Sequence, residues 1–89
     1  MANRTLKIVN EKGLHARASA KLVEVVERFD ATAKVCRDGM STSGDSIMGL
    51  LMLAASKGTT IDVQTDGPEA DALADALEAL VSDKFGEGY

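Results

Sequence analysis

The stretch "ATAKVCRDGMSTSGDSIMGLLML", residues 31–53, changes its periodicity twice, and those changes decide the architecture. Its first part alternates Ala33 and Val35, with Arg37 as a candidate third member, against Lys34 and Cys36. Alternation with a period of two is the pattern of a strand with one buried face. Asp38 and Gly39 then form a dipeptide suited to a tight hairpin, whose central residues need positive φ. "MSTS", residues 40–43, is expected to return as a short strand. Beyond it the pattern becomes helical. Ser46 has the side chain of an N-cap, residues 47–55 read as a short apolar helix, and "SKG" at 56–58 ends it.

Working outward from there, "RTLKIVN" at 4–10 places Leu6 and Ile8 on one face and Lys7 on the other, a first strand, and "EKG" at 11–13 is a turn. Over residues 16–29, Ala16, Ala20, Leu22, Val23, Val26 and Phe29 follow helical spacing. Lys21, Glu24, Glu27 and Arg28 lie mostly opposite them. "TTIDVQT" at 59–65 alternates Ile61 and Val63 with Asp62 and Gln64, a further strand. The clearest helix lies in "DGPEADALADALEALVSDKFG" at 66–86, with Pro68 at an early position, acids in its first turn and Lys84 near its C-terminal end. Its apolar stripe is Ala70, Leu73, Leu77, Leu80 and Val81. The order β-α-β-β-α-β-α predicts an α+β sandwich with helices on one face of a sheet.

Bulk properties bound what such a chain can do. Its 89 residues suit a single domain, 1–89. A chain this short buries only about 60–65% of its unfolded surface, which favours a surface site over a deep cavity. An apolar content of 45% argues for a folded globule. Cys36 is the only cysteine, so no internal disulfide forms and a reducing cytoplasm is expected. The sequence does not open on a charged segment followed by an apolar one, so no signal peptide is expected, and no apolar run is long enough to span a bilayer. The net charge of −4 is uneven: residues 1–61 hold nine Lys/Arg against six Asp/Glu, and residues 62–89 hold one against eight. With two Phe, one Tyr and no Trp, stacking platforms for nucleic acid are scarce, and no nucleic-acid or membrane partner is expected.

The chemistry concentrates in "GLHARAS", residues 13–19, which holds the only histidine. A helix starting just after His15 leaves the backbone amides of Ala16, Arg17 and Ala18 without intrahelical acceptors, at the positive end of the helix dipole. That is a ready anion site. Arg17 adds a charged bidentate fork suited to phosphate oxygens. An imidazole there can serve as a general base, or as a nucleophile that takes a phosphoryl group held by those amides. It can equally be an ordinary residue at a helix mouth. A small hydrolase would need a further nucleophile and acid, and the sequence offers neither. With one histidine and one cysteine no metal site is expected, and the spacing from Gly39 to Gly44 lacks the Lys-Ser/Thr of a phosphate-binding loop.

In "GDSIMGLLML", Ser46 has two compatible roles, N-cap and phosphorylation site, because a helix N-terminus tolerates phosphate. The helix that follows is apolar nearly all round. Leu50 and Leu53 are expected in the core, and Ile47, Met48, Leu51 and Met52 on an exposed partner-binding patch.

Together the two stretches make the chain resemble the HPr-type histidine phosphocarriers of the bacterial phosphoenolpyruvate phosphotransferase system. "GLHARAS" is similar to the family's active-site motif and "SIMGLLMLAASKG" to its regulatory-serine helix. The resemblance covers residue 3 to about residue 83. It implies an open-faced β-sandwich, a four-stranded antiparallel sheet covered on one face by three helices. It implies that His15 accepts a phosphoryl group on Nδ1 from phosphorylated enzyme I and passes it to a histidine of a IIA-type domain, with Arg17 assisting. Ser46 would be the target of an HPr serine kinase/phosphorylase in lineages that have one. The protein would then be a monomeric, cofactor-free phosphoryl-transfer intermediate rather than a free-standing enzyme. The alternative is a regulatory interaction protein that works through the Ser46 helix patch without phosphoryl flux.

Three departures from the family pattern stand out. Ala18 occupies a position where many members have proline, and Asp45 one where a basic residue often precedes the serine. In the tail "KFGEGY", residues 84–89, Phe85 falls near where some members bring an acidic C-terminus to the active site, so that contact is not expected here. "MGLLMLAASKG" and the alanine after Arg17 look more like the nitrogen-type or alphaproteobacterial branch than the sugar-uptake branch.

Overall fold

In the computed structural model, which describes residues 1–89, strands β1 (Ala2–Lys7), β2 (Thr32–Arg37), β3 (Met40–Ser43) and β4 (Thr60–Asp66) form one antiparallel sheet in the order β1-β4-β2-β3. The last strand in sequence is thus central. It pairs with β1 through Leu6 opposite Ile61 and with β2 through Val35 opposite Val63. Alternation along β4 buries Ile61, Val63 and Thr65 and exposes the residues between them. Buried Thr65 is satisfied locally, its hydroxyl donating to the Ala70 carbonyl at 2.7 Å. The hairpin between β2 and β3 turns at Asp38 and Gly39, at φ of 50° and 79°, the left-handed pair such a turn requires.

Helices α1 (Ala16–Glu27), α2 (Ile47–Leu53) and α3 (Ala70–Ser82) cover the other side of the core. Leu22, Leu50, Leu53, Leu73 and Leu77 meet Ile8, Val35, Ile61 and Val63 there, all fully buried. Truncating any one of these leucines to alanine should cost about 2–5 kcal/mol. Gly49 lets α2 lie against β3: a Cβ there would stand 1.8 Å from Thr42 Oγ1. Arg37 does point to the helix side, where its Nη1 donates to the Leu53 carbonyl at 3.0 Å and places a cation at the C-terminal end of α2.

Several details differ from the sequence reading. The buried face of α1 is Ala18, Ser19, Leu22, Val23, Val25 and Val26, with Ala16 exposed and Ala20 half-buried. The helix stops at Glu27 because the amides of Arg28 and Phe29 turn to acceptors three residues back. Helix α2 stops at Leu53, since Ala54 is left-handed (φ 52°, ψ 37°) and turns the chain so that Ala55 is buried. Pro68 lies before α3 rather than in its first turn. Glu69, the N-cap of that helix, makes no cap bond because its carboxylate accepts the Asp30 amide at 2.7 Å. Ala74 is buried on the α3 stripe, and Leu80 is only half-buried. No helix is long and apolar enough to cross a membrane.

Candidate functional site

The turn before α1 is built by Asn10 and Gly13. Gly13 has φ +64°, and a Cβ on it would stand 2.4 Å from the Ala55 carbonyl oxygen, so only glycine fits. The Asn10 side-chain amide closes the turn by donating to the Gly13 carbonyl at 2.8 Å. Leu14 is buried, and its amide donates to the Ala55 carbonyl at 2.8 Å. These bonds fasten the entry to α1 onto the C-terminal end of α2.

His15 is the N-cap of α1, with extended backbone, but its imidazole makes no cap hydrogen bond. The first intrahelical bond runs from the Ser19 amide to the His15 carbonyl, at 2.8 Å. The amides of Ala16, Arg17 and Ala18 therefore have no intrahelical acceptor. Arg17 is exposed and takes part in none of the ion pairs. The helix mouth thus offers open donors and a free guanidinium beside a half-buried imidazole, its side chain 27% exposed. His15 lines none of the surface concavities, and no cluster of metal-ligating side chains exists. The arrangement can hold an anion against a ring nitrogen at the surface.

The tail completes the site, against expectation. Beyond α3, Lys84, Phe85 and Gly86 form a short 3-10 turn with φ of 55°, 54° and 76°. Left-handed backbone costs about 1–2 kcal/mol at each non-glycine residue. Full burial of the Phe85 ring, which contributes about 1.5–3 kcal/mol, offsets much of that. Lys21 Nζ adds a hydrogen bond to the Phe85 carbonyl at 2.6 Å. Phe85 therefore does not occupy the place of an acid by the histidine. It sinks into the core, the chain doubles back, and Glu87 arrives at the site instead.

The Glu87 side chain is only 4% exposed, and its Oε2 meets His15 Nε2. Its Oε1 accepts from Asn10 Nδ2 at 3.0 Å. The Glu11 amide donates to the Tyr89 carbonyl at 3.2 Å, and the Lys12 ammonium lies 5.6 Å from the Tyr89 ring centroid. Burial pushes the Glu87 carboxyl up, but hydrogen bonds from Asn10 and His15 and the charges of His15 and Lys12 outweigh it. The carboxyl lies below its ordinary value of 4.5 and is ionised at neutral pH. Asn10 and Glu87 are the residues that sequence reasoning missed. The acid between two glycines in "GEGY" was the available signal.

Ser46 is the N-cap of α2, and its Oγ accepts from the Gly49 amide at 3.1 Å. Since Ala55 abuts the His15 turn, Ser46 lies at the far end of α2, about 10 Å away at 1.5 Å per residue. Along the helix Ile47, Met48 and Met52 are 41%, 70% and 68% exposed, and Leu51 is half-buried. Met48 and Met52 are the outermost of the four.

Residues 2–83 match the family described as "PTS HPr component phosphorylation site". The chain is 47% identical over 88 residues to phosphocarrier protein HPr of Cupriavidus necator, covering 99% of each chain. It is 43% identical over 84 residues to phosphocarrier protein NPr of Shewanella violacea, covering 94% of this chain and 92% of that one. Among solved structures, HPr-C-His from Thermoanaerobacter tengcongensis superposes with a TM-score of 0.93 at 33% identity, over 98% of both chains.

Proposed function

Because the chain belongs to the HPr family of phosphotransferase-system phosphocarriers, we propose that His15 carries its phosphoryl group, received from phosphorylated enzyme I and handed to a histidine of a IIA-type domain. The observation that supports this most is the uncapped mouth of α1. An N-cap side chain ordinarily spends itself on its own helix, which is worth about 1 kcal/mol. His15 instead leaves the amides of Ala16, Arg17 and Ala18 open for an anion.

A ring-nitrogen lone pair attacks phosphorus as the bond from phosphorus to the donor breaks, and the released electron pair stays with the donor. Phosphoryl transfer is catalysed mostly by positioning and charge stabilisation. The amides and Arg17 supply the charge stabilisation on this side, and the partner completes the site. The shallow setting suits transfer between two protein surfaces. Ile47, Met48, Leu51 and Met52 form the docking surface beside it, adaptable because methionine is flexible. Ser46, at the far end of that surface, is where phosphorylation by a serine kinase would weaken docking. These exchanges belong in the cytoplasm, with phosphoenolpyruvate as the ultimate donor.

The test is incubation with enzyme I and labelled phosphoenolpyruvate. The protein should acquire one acid-labile, alkali-stable label, and His15→Ala should acquire none while keeping its fold. Stoichiometric acid-labile label on the alanine variant would end this reading.

A further inference from the structure

The contact between Glu87 and His15 determines which ring nitrogen is free to react. A carboxylate can only accept, so the hydrogen in this contact belongs to His15 Nε2. A neutral imidazole has one N–H hydrogen, and with it on Nε2 the lone pair is on Nδ1. Asn10 fixes the carboxylate in turn. Its Nδ2 donates to both Gly13 and Glu87, using both amide hydrogens, while its Oδ1 is buried without a partner. Turning the amide over would set Oδ1 against two acceptor oxygens, so the orientation is locked.

We infer that Glu87 is a positioning residue for phosphoryl transfer: held by Asn10 and by the Phe85 anchor, it keeps the hydrogen of His15 on Nε2 and presents Nδ1 as the nucleophile. The inference rests on the phosphocarrier reading of His15. As the Nδ1–P bond forms and the bond from phosphorus to the donor breaks, the ring gains positive charge without losing its Nε2 hydrogen. Glu87 stands against that charge, on the nitrogen away from the incoming phosphate. This is the arrangement by which a buried carboxylate orients a catalytic imidazole and supports the imidazolium that forms.

Glu87→Ala and Glu87→Gln in the full chain test it, because the two predict an unusual order. Asn10 presents only hydrogens, so the single side-chain oxygen of glutamine must face Asn10. Its NH₂ then faces Nε2 and drives the ring hydrogen onto Nδ1, which blocks the nucleophile. We expect single-turnover phosphoryl acceptance to fall about 10-fold in the alanine variant, the scale of losing a partner that orients a reactive group, and at least as far in the isosteric glutamine variant. Long-range ¹⁵N–¹H spectra of the unphosphorylated imidazole should show the Nε2–H form in the wild type and a shift towards Nδ1–H in Glu87→Gln. A merely structural Glu87 would be rescued by glutamine with the ring-nitrogen pattern unchanged, and that result overturns the inference. The spectra read the ring without any transfer. A wild type that takes no label therefore defeats the phosphocarrier reading alone, and a labelled wild type with Nδ1–H defeats this one.

Discussion

Ser46 and His15 both occupy N-cap positions with extended backbone, yet Ser46 turns its side chain onto its own helix and His15 turns away from its own. At α2 the cap is closed within three residues by Ser46 and Gly49. At α1 the histidine is held by a residue 72 positions away, and three amides stay open. The first arrangement spends its polar groups on stability. The second leaves them unspent, which is the condition for binding an anion. A helix N-terminus thus becomes a site when something else relieves its cap residue of the capping task.

Loss of Arg17 should do the most damage. If the open mouth of α1 serves transfer, Arg17→Ala should slow single-turnover phosphoryl acceptance about 10²–10³-fold, the scale of removing one donor to developing charge. Thermal stability should stay within about 0.5 kcal/mol, because Arg17 is exposed and forms no ion pair. A wild-type rate would make the guanidinium a solvated charge only.

Gly13→Ala attacks the turn that sets the angle of the mouth. A Cβ 2.4 Å from the Ala55 oxygen, on backbone at φ +64°, should cost about 2–4 kcal/mol in chemical denaturation. A loss under 1 kcal/mol would mean that the turn relaxes freely, and that the fastening of α1 to the end of α2 is dispensable.

Ser46 sharpens the contrast from the other side. Ser46→Ala should lose the Gly49 bond and about 1 kcal/mol, seen as a fall in Tm of about 4–8 °C, with transfer unaffected. Ser46→Asp should keep the cap while placing a charge beside Ile47 and Met48. It should lower affinity for enzyme I at low salt, and less so at high salt if the partner is acidic there. Equal transfer by both variants and wild type would reduce Ser46 to a cap.

The smallest effect is acid release of the tail. The folded-state pKa of Glu87 is depressed, so the stability it contributes is complete above its ordinary value of 4.5 and is lost as pH falls through the folded value. The groups that face it are His15, Lys12 and Asn10. The protection of the Glu11 amide, which bonds the Tyr89 carbonyl, measured against its intrinsic exchange rate at each pH, should fall only below pH 4.5. Loss of protection already at pH 6 would assign the closure to another group.

The order of elements, the hairpin at Asp38 and Gly39, the cap at Ser46 and the placing of His15 at a helix mouth are all legible in the amino-acid sequence. These are local properties: strand alternation, helical spacing and capping are written within four or five residues of one another. The buried face of α3 was legible apart from Ala74 and Leu80, but that of α1 only in part: Leu22, Val23 and Val26 are buried as their spacing predicts, whereas small Ala18 and polar Ser19, also fully buried, carry no hydrophobic signal. That β4 lies between β1 and β2 is visible in the folded chain alone, because pairing partners far apart in sequence leave no periodic trace. The environment of His15 is likewise visible only there. Nothing near residue 87 shows that Phe85 sinks into the core through a left-handed turn and carries an acid back to a histidine near the start of the chain. Burial of one ring outweighed the local backbone preference, and that preference is all a short window of sequence contains.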